Sequence, residues 1–147
     1  MIVAGAVLLY QGQFRPMYLW TDFNACDTMI RICLLDFHPT VRAVLCLRLA
    51  LEPDLVVLDD ASCGLDSAAP SADIVILDLA IPLADQETAN TLLAPITTQC
   101  PVIVLSLYDD PTTRSLALAA GAARVISKHA EDDLLVSTIR VLANQFQ

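Results

Sequence analysis

Short apolar runs and helical apolar stripes alternate along this chain from residue 29 onward. Ile30–Leu35 is almost continuously apolar and reads as a strand buried on both faces. Pro39 then stands at a favourable first helical position. Val41, Val44, Leu45 and Leu49 follow at i, i+3, i+4 and i+8, which predicts one buried stripe on that helix. Glu52-Pro53 closes it, because the residue before a proline is pushed out of the helical region. Leu55–Leu58 predicts a second strand. Residues 59–72 carry Gly64, Pro70 and several Ser and Asp, so they read as a loop with room for only a short helix.

The third strand is the core of Ala72-Asp73-Ile74-Val75-Ile76-Leu77-Asp78. A helix is expected from Gln86 to about Leu93, stopped near Pro95. Val102–Leu105 is the fourth strand. Asp110-Pro111 is a cap followed by a helix-starting proline, and Gly121 is a natural stop. Leu116, Ala119 and Ala120 are expected to face inward between them. Val125–Ser127 makes a fifth strand. Glu131, Asp132 and Asp133 place negative charge where the dipole of the last helix favours it. Leu134, Ile139, Val141 and Leu142 are expected on its buried side. Five strands alternating with helices imply an α/β doubly wound parallel sheet with helices on both faces.

Residues 1–28 break this pattern. They hold two of the four Phe, two of the three Tyr and the only Trp, with weak helix and strand periods. We expect an N-terminal extension over 1–28, poorly packed or a start-site artefact with Met29 as the natural start, and a single domain over 29–147.

Composition narrows the function. The 147 residues carry a net charge of −9 and no basic run, which argues against gripping nucleic acid through phosphate neutralisation. Ile2–Leu9 is too short to span a bilayer, so no membrane anchor is expected. The five cysteines show no C-x-x-C pair and no metal-ligand spacing. Cys33 and Cys46 read as small core residues, and the absence of a disulfide framework favours a reducing, cytoplasmic location.

Candidate chemistry sits at strand ends. Open α/β sheets place their ligand sites there. The first strand runs into Asp36, the third into Asp78, the fourth into Ser106 and the fifth into Lys128. An aspartate can accept a phosphoryl group if a divalent cation screens its charge and a lysine stabilises the charge being transferred. A nearby hydroxyl can then bond a phosphoryl oxygen. Each residue also has a plainer reading. Asp78 and Asp36 could cap turns, and Lys128 could simply neutralise a buried Asp78. His38 and His129 read as helix-start residues.

Four stretches in order carry a resemblance. They are Leu34-Leu35-Asp36-Phe37-His38-Pro39, Ile76 to Asp85, Val104-Leu105-Ser106, and Gly121 to Lys128. From Met29 to about Asn144 the chain resembles a response-regulator receiver domain of the NarL type. The resemblance implies a flavodoxin-like fold and two-component phosphorelay signalling without enzymatic turnover. It implies Asp78 as phospho-acceptor, Ser106 as switch hydroxyl, Lys128 as phosphate-binding lysine, and Asp36 with Asp78 as the Mg²⁺ site. The implied partner is a sensor histidine kinase or phosphotransfer protein; a homodimer is allowed, and DNA binding by this chain alone is not expected.

The departures from the family pattern are specific. Phe37 stands where a second acid, usually a metal ligand, is expected, so Mg²⁺ binding should be weak. Val125 stands where an aromatic switch residue is usual, and Gln86 replaces a usual glycine. The segment between Gly64 and Ala72 is about one helical turn short. These keep a second reading open, a phosphorylation-independent pseudo-receiver used for protein docking. A haloacid-dehalogenase-like hydrolase is disfavoured, because Ala80 stands where its general acid belongs.

Overall fold

The computed structural model describes residues 7–10, 13–16, 29–59, 63, 71–108 and 110–146. Two short strands come first, β1 (Val7–Tyr10) and β2 (Gln13–Pro16). They pair antiparallel with Tyr10 opposite Gln13. The weak strand period gave no sign of this hairpin. The rest of the expectation for residues 1–28 lies outside the described residues, as does nearly all of the loop expected at 59–72.

The main sheet has five parallel strands, β3 (Ile30–Leu35), β4 (Leu55–Val57), β5 (Ile74–Leu79), β6 (Val102–Ser106) and β7 (Arg124–Ser127). Their spatial order is β4-β3-β5-β6-β7. Four helices among the described residues connect or follow them. These are α1 (Pro39–Leu49), α2 (Gln86–Thr97), α3 (Pro111–Ala119) and α4 (Asp132–Gln145). The order reverses between β3 and β5, which opens a crevice at their C-terminal ends.

Strand alternation sorts the core into two layers. Cys33, Val75, Leu77, Leu79, Val102 and Val104 face one side, where Ala89, Leu93, Ala117 and Ala120 of α2, α3 and the α3 cap cover them. Ile32, Leu34, Ile74, Ile76, Ile103 and Leu105 face the other, under Leu49 of α1 and Leu135, Ile139 and Leu142 of α4. Successive side chains of a strand point to opposite faces, so a continuous apolar run fills both layers.

Local chemistry sets the helix ends. His38 Nδ1 accepts from Thr40 N at 3.3 Å, Asp85 from Thr88 N at 2.8 Å and Asp110 from Thr113 N at 2.7 Å. These satisfy backbone donors that have no partner inside the helix. After α3, Gly121 adopts φ +103° while Ala122 N donates to Ala117 O at 3.1 Å. That is the left-handed close a glycine makes without penalty.

Four expectations need correction. The α2 helix does not stop before Pro95 but runs to Thr97. A proline this near the end removes a single ladder bond, and the terminal carbonyls are taken up by side chains: Thr98 Oγ1 donates to Ala94 O and Gln99 Nε2 to Pro95 O. On α1 the stripe is rotated. Leu49 is buried, yet Val41 and Val44 are exposed. The inner face instead runs through Arg42, Leu45, Cys46 and Leu49, with Arg42 Nη1 donating to Leu34 O at 2.6 Å. On α3, Ala119 is exposed, and Thr113, Ala117 and Ala120 face inward with Leu116 half-buried. On α4, Leu134 and Val141 are exposed, whereas Leu135, Val136, Ile139, Leu142 and Ala143 are buried.

An ion network joins both ends of this face. Glu52 receives Arg48 at 2.9 Å and Arg140 at 2.7 Å, and Asp54 receives Arg140 at 2.8 Å. Arg48 also reaches Asp133 at 3.2 Å. No helix among the described residues is long and apolar enough to cross a membrane.

Cys33 is buried as expected, but it is not a free core thiol. It forms a disulfide with Cys63 across a Cα–Cα distance of 5.5 Å. Sequence spacing gave no signal for this pair, because the two residues lie on separate elements brought together by the sheet. Cys46 and Cys100 form no disulfide.

Candidate functional site

Register places the candidate residues side by side at the C-terminal edge of the sheet. Leu35 pairs with Leu77, so Asp36 and Asp78 follow on neighbouring strands. Leu79 pairs with Ser106, and Ser106 pairs with Ser127, one residue before Lys128. The parallel register sets these strand ends at one level, which is why four residues far apart in sequence share one edge.

Asp78 lies within β5, and its side chain is only 8% exposed. The Lys128 ammonium forms an ion pair with Asp78 Oδ1, and the lysine side chain is 19% exposed. That oxygen is enclosed and accepts no hydrogen bond from any other group among the described residues. The pair therefore keeps one buried negative charge neutralised from a single direction. The backbone of Lys128 is held as well: its N–H donates to Ser106 O at 2.8 Å. The lysine is thus positioned by the same strand end that carries the serine.

Ser106 is buried, and its hydroxyl is turned into the loop that follows β6. The oxygen accepts from Tyr108 N at 3.0 Å and the hydroxyl donates to Tyr108 O at 3.3 Å. A serine bonding its own backbone two residues on is a common turn device. The role of Tyr108 as its holder was not visible in the hydrophobic pattern; the Ser-x-x spacing of a hydroxyl turn was the available signal.

Asp36 is exposed and sits at φ 61°, in the left-handed region. Aspartate tolerates that conformation better than most residues, and such positions cluster at functional sites. Next to it, Phe37 is half-buried against the α1/α4 layer. It lines a cleft of about 200 Å³ with Leu45, Leu105, Ile126, Lys128 and Leu135. The position expected to carry an acid thus packs with apolar neighbours.

The metal-capable set is correspondingly small. Asp36 and Asp78 supply carboxylates from adjacent strand ends, and no cluster of three or more His, Cys, Asp or Glu side chains occurs among the described residues. Mg²⁺ retains several waters and often uses one or two protein carboxylates, so this donor set fits a weakly held ion.

The other positions that departed from expectation have local roles. Val125 is buried in the α2/α3 layer, and Arg114 Nη1 donates to its carbonyl at 3.1 Å. Gln86 opens α2 and links it to α3, its Nε2 donating to Asn90 Oδ1 at 2.9 Å and Leu116 O at 3.3 Å. His129 N donates to Ser127 Oγ at 3.2 Å, which closes the turn after β7.

Comparison with known proteins adds the context. The response regulator UvrY of Escherichia coli O6:H1 is 31% identical over 116 residues, covering 76% of this chain and 53% of that protein. The chain spans about half the length of the curated relatives it matches. The signal receiver domain of NarL from Mycobacterium tuberculosis superposes with a TM-score of 0.58 at 24% identity, over 79% of this chain and 97% of that one. The receiver domain of the Francisella response regulator 1452 gives 0.62 at 18% identity, over 80% and 99%. The model of the response regulator receiver domain matches residues 32–140, from within β3 to within α4 and across all four strand ends that carry the site. That match over most of the chain, on a five-stranded parallel sheet of this order, places the chain in the response regulator receiver domain family.

Proposed function

We propose that this chain is a two-component receiver that accepts a phosphoryl group on Asp78 from a histidine kinase or phosphotransfer protein. The observation that carries this reading is the enclosed Asp78 carboxylate with Lys128 as its ion-pair partner. In the transfer, a carboxylate oxygen of Asp78 forms a bond to phosphorus as the bond to the donor imidazole nitrogen breaks. Lys128, already at the carboxylate, is placed to follow the charge onto the phosphoryl oxygens. Ser106 donates to a phosphoryl oxygen by withdrawing its hydroxyl hydrogen from Tyr108 O, which removes one of the two bonds that tie it to Tyr108 in the loop after β6. That exchange couples chemistry at Asp78 to the surface around α3.

Asp36 and Asp78 would hold a Mg²⁺ ion, which when bound screens the carboxylate from the incoming phosphoryl oxygens. With Phe37 in the neighbouring position, we expect the affinity to be low. We place the receiver at residues 29–147 and residues 1–28 as an extension, in the cytoplasm, with no nucleic-acid contact of its own.

The test is intact mass after incubation with acetyl phosphate, with and without Mg²⁺, beside Asp78→Ala. A metal-dependent phosphoryl adduct absent from the variant supports the assignment. A folded protein that forms none over a wide Mg²⁺ range overturns it and leaves phosphorylation-independent docking as the function.

A further inference from the structure

The cysteine pair is the feature that the phosphoryl chemistry leaves unused. Cys33 lies in the middle of β3, and Cys63 lies in the connection between β4 and β5. Both are in the core, at 0% and 4% exposure. The bond packs with Leu58, Ala72, Leu79 and Leu83 in the layer that faces α2 and α3. It is therefore a cross-link between the central sheet and a residue 30 positions further along the chain. Cys33 lies on β3, three residues before Asp36.

We propose that Cys33 and Cys63 are an oxidation site whose disulfide ties Cys63 to the central strand β3, making the stability of the domain depend on thiol redox state. The substrate class is a small-molecule disulfide. The Cys63 thiolate attacks that disulfide and releases one thiol. The Cys33 thiolate then displaces the second thiol from the mixed disulfide. One sulfur–sulfur bond forms as another breaks, the cysteine pair is oxidised by two electrons, the small disulfide is reduced to two thiols, and the two cysteine protons end on them. In a reducing compartment the dithiol form prevails. Oxidation then adds a covalent closure of a 30-residue separation, which restricts the unfolded chain. The remaining described thiols are separate. Cys46 is half-buried on α1 and Cys100 lies at the far end of the sheet, and neither forms a disulfide.

The site is tested with the full chain equilibrated in oxidised glutathione or in dithiothreitol, then unfolded and alkylated. Five cysteines are present, so the expected count is three labels after oxidation and five after reduction. Digestion should yield one peptide pair joined through Cys33 and Cys63. Thermal unfolding should show the oxidised form higher by about 5 °C or more. The Cys63→Ser variant should unfold near the reduced wild-type value and ignore dithiothreitol. Five labels after oxidation, a linkage to any other cysteine, or a midpoint indifferent to dithiothreitol each overturn the proposal. Phosphoryl adducts on Asp78 are read separately, so failure of one assignment leaves the other standing.

Discussion

The ammonium of Lys128 reaches across the end of β6 to form an ion pair with the carboxylate of Asp78. Neither residue is adjacent to the other in sequence or on a shared strand. The contact exists because β5, β6 and β7 are parallel neighbours that end at one level. Lys128→Met leaves the enclosed Asp78 charge without its partner. Chemical denaturation should show a loss of about 1–3 kcal/mol. The double variant Asp78→Asn with Lys128→Met should recover most of it, because the uncompensated charge is then gone. A double variant as unstable as the single one would mean that the lysine acts through packing alone.

Phe37 separates metal affinity from fold. Replacing it with aspartate puts a third carboxylate beside Asp36 and Asp78. On the receiver reading, Phe37→Asp should lower the Mg²⁺ concentration needed for half-maximal adduct formation. It should also destabilise the domain, because Phe37 leaves its apolar cleft with Leu45, Leu105 and Leu135. An unchanged Mg²⁺ dependence in a folded variant would show that this position does not face the ion.

Asp36 holds a left-handed backbone conformation at φ 61°. Glycine adopts that region without strain, while aspartate carries a cost of about 1 kcal/mol. Asp36→Gly should therefore leave stability unchanged or raise it by up to about 1 kcal/mol, while reducing the Mg²⁺-dependent adduct. Asp36→Ala keeps the strain and loses the carboxylate, so it should be the less stable of the two.

Gly121 is constrained in both backbone and space. Its φ is +103°, and a Cβ there would lie 3.0 Å from Thr97 Oγ1 and 3.2 Å from Thr97 Cβ. Gly121→Ala should cost about 1–3 kcal/mol by denaturant titration. Combining it with Thr97→Ala should relieve only the Oγ1 contact, since the Thr97 Cβ and the backbone strain both remain.

Acid should unfold the domain through a defined set of carboxylates. Hydrogen bonds from Arg48 and Arg140 hold Glu52 below the usual range, and Arg140 does the same for Asp54. Burial alone would raise Asp73, but its hydrogen bonds with Arg31 outweigh this and lower it. Backbone N–H groups at helix starts lower Asp85 and Asp110, led by those of Thr88 and Thr113. A carboxyl depressed in the folded state stabilises fully above its unfolded value near 4, and the benefit is lost as pH falls through the lower folded value. Stability should therefore drop below about pH 4, and Arg140→Met should make that drop shallower. A stability curve flat between pH 5 and pH 2 would contradict it.

The order of strands and helices was legible in the sequence because parallel strands buried on both faces must be almost wholly apolar. The runs at Ile30, Ile74 and Val102 had few other readings. Strand-end residues were legible for the same reason: once the runs are strands, Asp36, Asp78, Ser106 and Lys128 fall at one edge. Helix starts were legible through Pro39 and Pro111 with their caps, since those are local chemistry.

Tertiary structure decided what depends on distant elements. On α1 the inward face includes Arg42, whose guanidinium donates to the Leu34 carbonyl, a contact that no count of apolar spacing contains. The length of α2 was set by side chains that take up its last carbonyls beyond Pro95. Ser106 was known as a hydroxyl at a strand end, but its engagement with Tyr108 belongs to the loop geometry. The Cys33–Cys63 bond is the sharpest case. Sequence supplied two thiols with no framework, and only the fold brought a central strand and a distant connection within bonding reach. Periodicity reports which face of an element is apolar; pairing between elements depends on where the whole chain places them.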